Sequence, residues 1–175
     1  MNKLILLISM FVSVSFYSDT EELQINTSSQ ENSNTIKEPY EIQFRTEKLK
    51  NDLYNLIITM ELQKGAHYVS PNSKGDYSGV FAMNLEENKQ LQMNGKFSEN
   101  PLSKESTDPW RGSPVNFVRE NTTHTQQFTI EAKDDFEVSG WIQFTIEPRC
   151  TLEKIHFKIT QKSGVLDIQK LATKN

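Results

Sequence analysis

Residues 155–160, beginning at Ile155, read IHFKIT, and apolar side chains occupy every second position of this run. Alternation with a period of two is typical of a β-strand that buries one face and exposes the other to water. Residues 40–44 and 128–130 follow the same rule. The repeated pattern predicts antiparallel sheets with one buried face.

Short runs rich in β-branched and aromatic residues continue along most of the chain, and Gly, Asn, Ser and Asp clusters separate them. Such clusters are typical of turns, and we place turns at Lys64-Gly65, residues 72–75, Asn94-Gly95 and residues 133–135. No segment has the apolar spacing of a long amphipathic helix, so the pattern predicts an all-β sandwich. The predicted strands are residues 40–46, 53–62, 67–70, 79–86, 90–93, 115–119, 126–132, 138–147 and 155–160.

The first 18 residues have the features of a secretory signal peptide. Lys3 gives a short positive start, and residues 4–14 form an apolar stretch of the length such signals use. Ser13 and Ser15 supply small residues before a cleavage site. The alternative is an N-terminal membrane anchor, but the apolar run is shorter than the roughly 20 residues that span a bilayer. The sequence therefore predicts an exported protein.

The rest of the chain divides by composition. Residues 19–38 are rich in Ser, Thr, Asn, Gln and Glu, and this composition predicts a disordered polar tether. The β-rich pattern predicts one domain over residues 39–165, followed by a tail over 166–175. Residues 98–111 contain two prolines and many polar side chains, and they form the longest predicted loop.

Composition excludes several classes of function. The chain has 175 residues and a net charge of −4, with basic residues spread along its length, so no nucleic-acid partner is expected. His67, His124 and His156 lie far apart and lack ligand-type neighbours at metal spacing, so neither a metal nor a cofactor is predicted. The chain also lacks a phosphate-binding loop and a nucleophile elbow, which disfavours hydrolase and transferase chemistry.

The single cysteine, Cys150, lies in a predicted turn over residues 147–151, EPRCT. An unpaired cysteine in an exported protein is either buried and inert or available for a bond to another molecule. Arg149 would lower the pKa of the thiol and Glu147 would raise it, so the two charges nearly cancel. The residues alone favour the inert thiol, although a turn position favours exposure.

Four segments occur in an order that resembles the N-terminal periplasmic domain of the DsbD thiol:disulfide interchange family. Residues 51–58 (NDLYNLII) and 64–70 (KGAHYVS) resemble a strand and the aromatic step that follows it. Residues 108–112 (DPWRG) resemble the cap loop of the family, and residues 138–144 (VSGWIQF) resemble the strand that leads to its cysteine pair. The resemblance covers roughly residues 40 to 160.

The resemblance implies an immunoglobulin-like β-sandwich in a periplasmic protein. In the family, two cysteines carry electrons from a membrane partner to periplasmic acceptors. By this likeness Cys150 is the second cysteine, and Asp108 and Trp110 form the cap loop, with Trp110 over the sulfur. Arg149, Phe144 and Tyr68 would surround the thiol. The alternative for Trp110 is an ordinary loop anchor that packs on the sandwich.

The sequence departs from the family at the first cysteine, because Phe144 and Thr145 stand in its place. A dithiol shuttle resolves a mixed disulfide with its own second thiol, and one cysteine cannot do this. The full electron-transfer cycle should therefore be absent unless another molecule supplies the thiol.

Three functions remain open. The first is a divergent, degenerate module of this family that acts by binding a protein partner, such as a thioredoxin-like or membrane redox protein. The second is a redox partner that forms mixed disulfides through Cys150, which would make thiol-disulfide exchange its chemistry. The third is a surface or adhesion-like sandwich with no redox role. The expected location is the periplasm, or otherwise the medium or the cell surface.

Overall fold

The structure is a computed structural model that describes residues 38–172. The predicted signal peptide, and the predicted tether apart from Glu38, lie outside the described residues. Eleven strands form the described part of the chain, and no helix there has the length and apolar character to cross a bilayer. In chain order the strands are β1 Tyr40–Lys50, β2 Leu53–Leu62, β3 Tyr68–Val69, β4 Ala82–Leu85, β5 Leu91–Asn100, β6 Glu105–Thr107, β7 Pro114–Val118, β8 Thr122–Ile130, β9 Phe136–Ile146, β10 Thr151–Lys162 and β11 Val165–Lys170.

The strands form two four-stranded sheets and a smaller three-stranded sheet, and all of the strand pairs are antiparallel. The first large sheet has the order β1-β2-β8-β5, and the second has the order β11-β10-β9-β4. The small sheet has the order β3-β7-β6 and carries one side of the candidate site. The prediction of an all-β antiparallel sandwich is confirmed.

The core lies between the two large sheets, and aromatic rings join them. Phe44 of β1 packs against Phe157 of β10 with ring centroids 5.3 Å apart, and Tyr40 meets Phe144 edge-on at 5.0 Å. On β9 every second side chain is buried, as the sequence alternation predicts. Burial of apolar area contributes roughly 25 cal/mol per Å², so this interior supplies most of the stabilisation. Its fully buried members include Leu56, Ile58, Met60, Phe128, Ile142, Phe144, Phe157 and Ile159.

The strand β11 lies beyond the predicted C-terminal boundary of the domain. It pairs with β10 through a two-residue loop, Ser163-Gly164, in which both residues have positive φ, 50° and 77°. Two successive residues of this kind form the hairpin turn whose twist matches that of the flanking strands. The domain thus continues to Lys170, and the prediction of a tail from residue 166 is wrong for residues 166–170.

The structure also differs from the sequence-based prediction at β5 and β6. The predicted turn at Asn94-Gly95 is wrong, because β5 continues through it with an irregularity in its pairing to β8 between Asn94 and Ser98. Gly95 has φ of 71°, so the glycine serves an irregular strand here and not a hairpin. The predicted loop over 98–111 also contains β6, which pairs with β7.

Candidate functional site

The turn that carries Cys150 joins β9 to β10. Pairing of Ile146 with Thr151 leaves residues 147–150 as the loop, in agreement with the predicted turn. Reciprocal backbone hydrogen bonds between Glu147 and His67, of 2.9 and 3.1 Å, tie the turn to the segment before β3. Cys150 has φ of 52°, a left-handed conformation that non-glycine residues rarely adopt.

The thiol of Cys150 is exposed, so the prediction that it is buried is wrong, whereas its reactivity stays a prediction. Its Sγ donates a hydrogen bond to Glu147 Oε2 at 2.9 Å. This hydrogen bond, together with partial desolvation and the negative charge, raises the pKa of the Cys150 thiol because each disfavours the thiolate. Arg149 does not offset the effect, since its guanidinium binds Glu38 at 2.8 Å and also pairs with Glu153.

The predicted cap loop is held by its own acidic residue. The Asp108 carboxylate accepts hydrogen bonds from the backbone N–H groups of Trp110, at 2.8 Å, and Arg111, at 3.0 Å. The backbone carbonyl of Asp108 also accepts one from Gly112 at 2.8 Å. These bonds form a compact turn that presents Trp110 outward, with 94% of the side chain exposed. The alternative prediction, that Trp110 packs on the sandwich as an anchor, is wrong.

The cap loop and the cysteine turn line one cleft of about 550 Å³. Both Trp110 and Cys150 are exposed within it, so in this structure the indole does not bury the sulfur. Four of the predicted site residues line this cleft: Cys150, Asp108, Trp110 and Tyr68. The cleft also contains residues that the sequence did not single out as site residues, among them Tyr77, Phe117 and Arg119.

Phe144 and Arg149 are not part of the cleft lining. Alternation along β9 directs Phe144 into the core, where it is fully buried, and directs Thr145 toward the cleft. The prediction that Phe144 lies beside the thiol is therefore wrong. Arg149 is adjacent to Cys150 in the chain, but its guanidinium is engaged by Glu38 and Glu153, so it does not support a thiolate.

The walls of the cleft combine aromatic rings with guanidinium groups. His67 meets Phe117 edge-on at 5.2 Å, and the guanidinium carbon of Arg119 lies over the Phe117 ring, 4.8 Å from its centroid. Arg111 lies 5.6 Å over the ring of Tyr77. The hydroxyl of Tyr77 is 2.8 Å from Ser113 Oγ, which ties this wall to the end of the cap loop. Such surfaces favour contact with apolar and anionic groups.

Behind the cleft lies a buried polar cluster that sequence reasoning missed. The hydroxyl of Tyr68 and Nε2 of His124 are 2.6 Å apart, and both side chains are fully buried. Phe81 stacks on the His124 ring at 4.3 Å. Glu99, which pairs with His124 across β5 and β8, accepts hydrogen bonds from Ser70 Oγ and the backbone N–H of Ser103.

Burial determines the protonation of this cluster. Desolvation lowers the pKa of His124 from 6.5 to about 4, although the charge of Glu99 opposes the shift. Desolvation also raises the pKa of Tyr68. The Nδ1 atom of His124 has no hydrogen-bond partner among the described residues. The only sequence signal for this role was the position of His124 between the buried-face residues of β8.

No metal-ligating group of three or more His, Cys, Asp or Glu residues occurs within residues 38–172. The cleft itself presents a thiol, aromatic rings and charged side chains. Comparison with known proteins gives no further guide: no family model matches the chain, and neither a curated protein nor a solved structure matches it.

Proposed function

We propose that the chain is an exported, periplasmic module of the DsbD N-terminal type that binds a protein partner at the cleft beside Cys150. The observation that supports this most is that residues 108–111 and the turn at 147–150 line the same cleft, although they are distant in sequence. The family resemblance implies the same pairing of a cap loop with a cysteine turn.

The shape of the cap loop favours binding. An indole that is 94% exposed contributes little to folding, yet the Asp108 carboxylate holds the loop beneath it in one conformation. A loop whose backbone is ordered before binding loses little conformational entropy in a complex. Exposed tryptophans of this kind are enriched among the residues that dominate interface energies. Trp110 is accordingly the proposed anchor for the partner.

The single thiol also favours binding over turnover. If the Cys150 thiolate attacked a partner disulfide, a mixed disulfide would form and the second partner sulfur would leave as a thiolate. That thiolate could then attack the partner sulfur of the mixed disulfide and release Cys150 unchanged. The exchange balances, but it moves no electrons through this chain. Its result is reversible capture of a partner.

Mixed-disulfide formation is the second candidate function, and the exposed position of Cys150 is the observation that favours it. The bond to Glu147 acts against it, because a raised thiol pKa leaves less thiolate at neutral pH. A surface sandwich without redox ancestry would be favoured by a Trp110 loop far from Cys150, whereas both line one cleft. Capture by non-covalent binding is therefore the leading function.

The proposal is tested by photo-crosslinking in cells that express the chain. A benzophenone amino acid, which keeps a large aromatic side chain at the anchor position, replaces Trp110 in one variant and Leu102, which is 67% exposed and outside the cleft lining, in the control. We expect the Trp110 position to crosslink a thioredoxin-like or membrane redox protein, identified by mass spectrometry, and the Leu102 position not to do so. Equal crosslinking at both positions, or none at Trp110, would refute the proposal.

A Cys150→Ser substitution in the same crosslinking variant separates the two candidate functions. If the partner is still captured, binding does not need the sulfur, and the chain is an interaction module. If capture is lost together with a reducible complex on non-reducing gels, the mixed-disulfide function is correct instead.

A further inference from the structure

The charged residues of the cleft differ in whether they have partners. Its two carboxylates are engaged within the chain. Asp108 accepts hydrogen bonds from backbone N–H groups of its own loop, and Glu147 accepts a hydrogen bond from the thiol of Cys150. Its two guanidiniums are not paired in this way, because neither Arg111 nor Arg119 lies within 4.0 Å of a carboxylate oxygen in the described part of the chain. The cleft therefore offers cationic donors and few free acceptors.

The guanidinium groups are held in suitable positions by the aromatic walls. Arg119 lies over Phe117, and Arg111 lies over Tyr77 while one of its nitrogens donates to the backbone carbonyl of Asp76 at 3.1 Å. Stacking on a ring orients the planar guanidinium and leaves its edge available. That edge matches the two oxygens of a carboxylate, which a lysine ammonium cannot match in the same way.

The cleft also offers apolar surface. Tyr77, Trp110 and Phe117 line the cleft, and a volume of about 550 Å³ is large enough for a bulky side chain. A ligand that suits both features has an aromatic or large aliphatic side chain with a carboxylate beside it.

From these contacts we infer that the cleft takes an acidic peptide segment of its partner, with an apolar side chain in the cleft and a flanking carboxylate on Arg119. This inference rests on the proposed function and specifies the chemistry of the partner. Arg111 receives a second carboxylate if the segment carries one within its reach.

The test uses three fluorescein-labelled, end-blocked hexapeptides of glycine and serine around one phenylalanine. One residue beside the phenylalanine is glutamate in the first peptide, glutamine in the second and lysine in the third, so each peptide carries a single test side chain. Binding to the full signal-cleaved chain is followed by fluorescence anisotropy at low salt. A hydrogen-bonded carboxylate contributes enough that we expect the glutamate peptide to bind about tenfold more tightly than the glutamine peptide. The lysine peptide should bind more weakly still.

Variants identify the guanidinium that is responsible. Arg119→Gln should remove the preference for glutamate over glutamine, and Arg119→Lys should restore only part of it because lysine lacks the planar fork. Arg45→Gln is the matched control, since Arg45 is exposed on β1 and outside the cleft lining. Circular dichroism checks that each variant is folded.

Equal affinity for the glutamate and glutamine peptides, no saturable binding of any peptide, or a preference that survives Arg119→Gln would each overturn the inference. Its failure is distinguishable from that of the proposed function. If crosslinking at Trp110 succeeds while the glutamate preference is absent, the partner binds the cleft through other chemistry. If crosslinking at Trp110 fails, the proposed function is wrong whichever peptide binds.

Discussion

His124 makes the stability of the sandwich depend on pH. Burial lowers the pKa of the folded ring to about 4, whereas in the unfolded chain the ring has its ordinary value of 6.5. Between these values the unfolded chain binds a proton that the folded chain does not. Stability therefore falls as the pH falls from 6.5 toward 4, by ~1.4 kcal/mol per pH unit and ~3 kcal/mol over the window.

The neighbours of the ring fix the direction of this effect. Tyr68 of β3 provides a neutral hydroxyl, Phe81 provides an aromatic face, and Glu99 of β5 provides the one nearby charge that would favour a protonated ring. Desolvation outweighs the attraction of Glu99, so the ring stays neutral in the folded protein near neutral pH. Above pH 6.5 both states hold a neutral ring, and no further stability is gained from it.

Urea unfolding at a series of pH values measures the effect in the wild type and in His124→Gln, which keeps a polar side chain next to Tyr68. Because other groups also titrate, the informative quantity is the difference between the two slopes between pH 6.5 and 4. His156→Gln is the control, since His156 is exposed on β10, which belongs to the other large sheet. We expect the slope to be reduced in His124→Gln and to persist in His156→Gln.

An NMR titration of the His124 ring tests the same reasoning without a substitution. A midpoint near 6.5 in the folded wild type would refute it, as would identical slopes in the wild type and His124→Gln. Either result would mean that the ring is solvated or that Glu99 compensates its burial in full.

Three further changes have expected outcomes. Gly140→Ala should lower the free energy of unfolding by ~1–3 kcal/mol, because the added Cβ would lie 2.7 Å from Asn84 O and from Phe157 Cζ; urea unfolding measures this, with Ser139→Ala on the same strand as control. Glu147→Gln should move the midpoint of the alkylation rate of Cys150 to lower pH, since it removes the charge that disfavours the thiolate, and an unchanged midpoint would contradict the hydrogen bond seen here. The free energy of unfolding of Cys150→Gly should be ~1 kcal/mol higher than that of Cys150→Ala, because only glycine adopts the left-handed conformation there without strain. Equal free energies of unfolding would show that the position is unstrained.

Sequence periodicity was sufficient to predict the central strands of the sandwich. β2 agrees with its prediction over its whole length, and β9 and β10 were found because their buried faces alternate clearly. β11 was missed because it is short and rich in polar residues, and none of its side chains is fully buried, so its pattern is weak. Its presence depends on pairing with β10, which is a long-range contact that local pattern does not report.

The candidate site could be predicted only in part. The Cys150 turn and the cap loop were recognisable from the residues and from the resemblance, because each is a local motif. Arg119 and Phe117 were not, since they come from the end of β7 and its neighbouring loop and reach the cleft through tertiary packing. The sequence likewise does not predict a role for His124. Its contact with Tyr68 joins residues 56 positions apart.

Cys150 occupies a place that the backbone alone would assign to glycine. A left-handed conformation costs a residue with a side chain roughly 1–2 kcal/mol relative to the right-handed one, and glycine avoids that cost. The core does not require the side chain, since the thiol is exposed. Strain of this kind at an exposed position is a reason to suspect a functional role. The hydrogen bond to Glu147 raises the pKa of the Cys150 thiol and so lowers the fraction of thiolate, which slows its exchange with free disulfides.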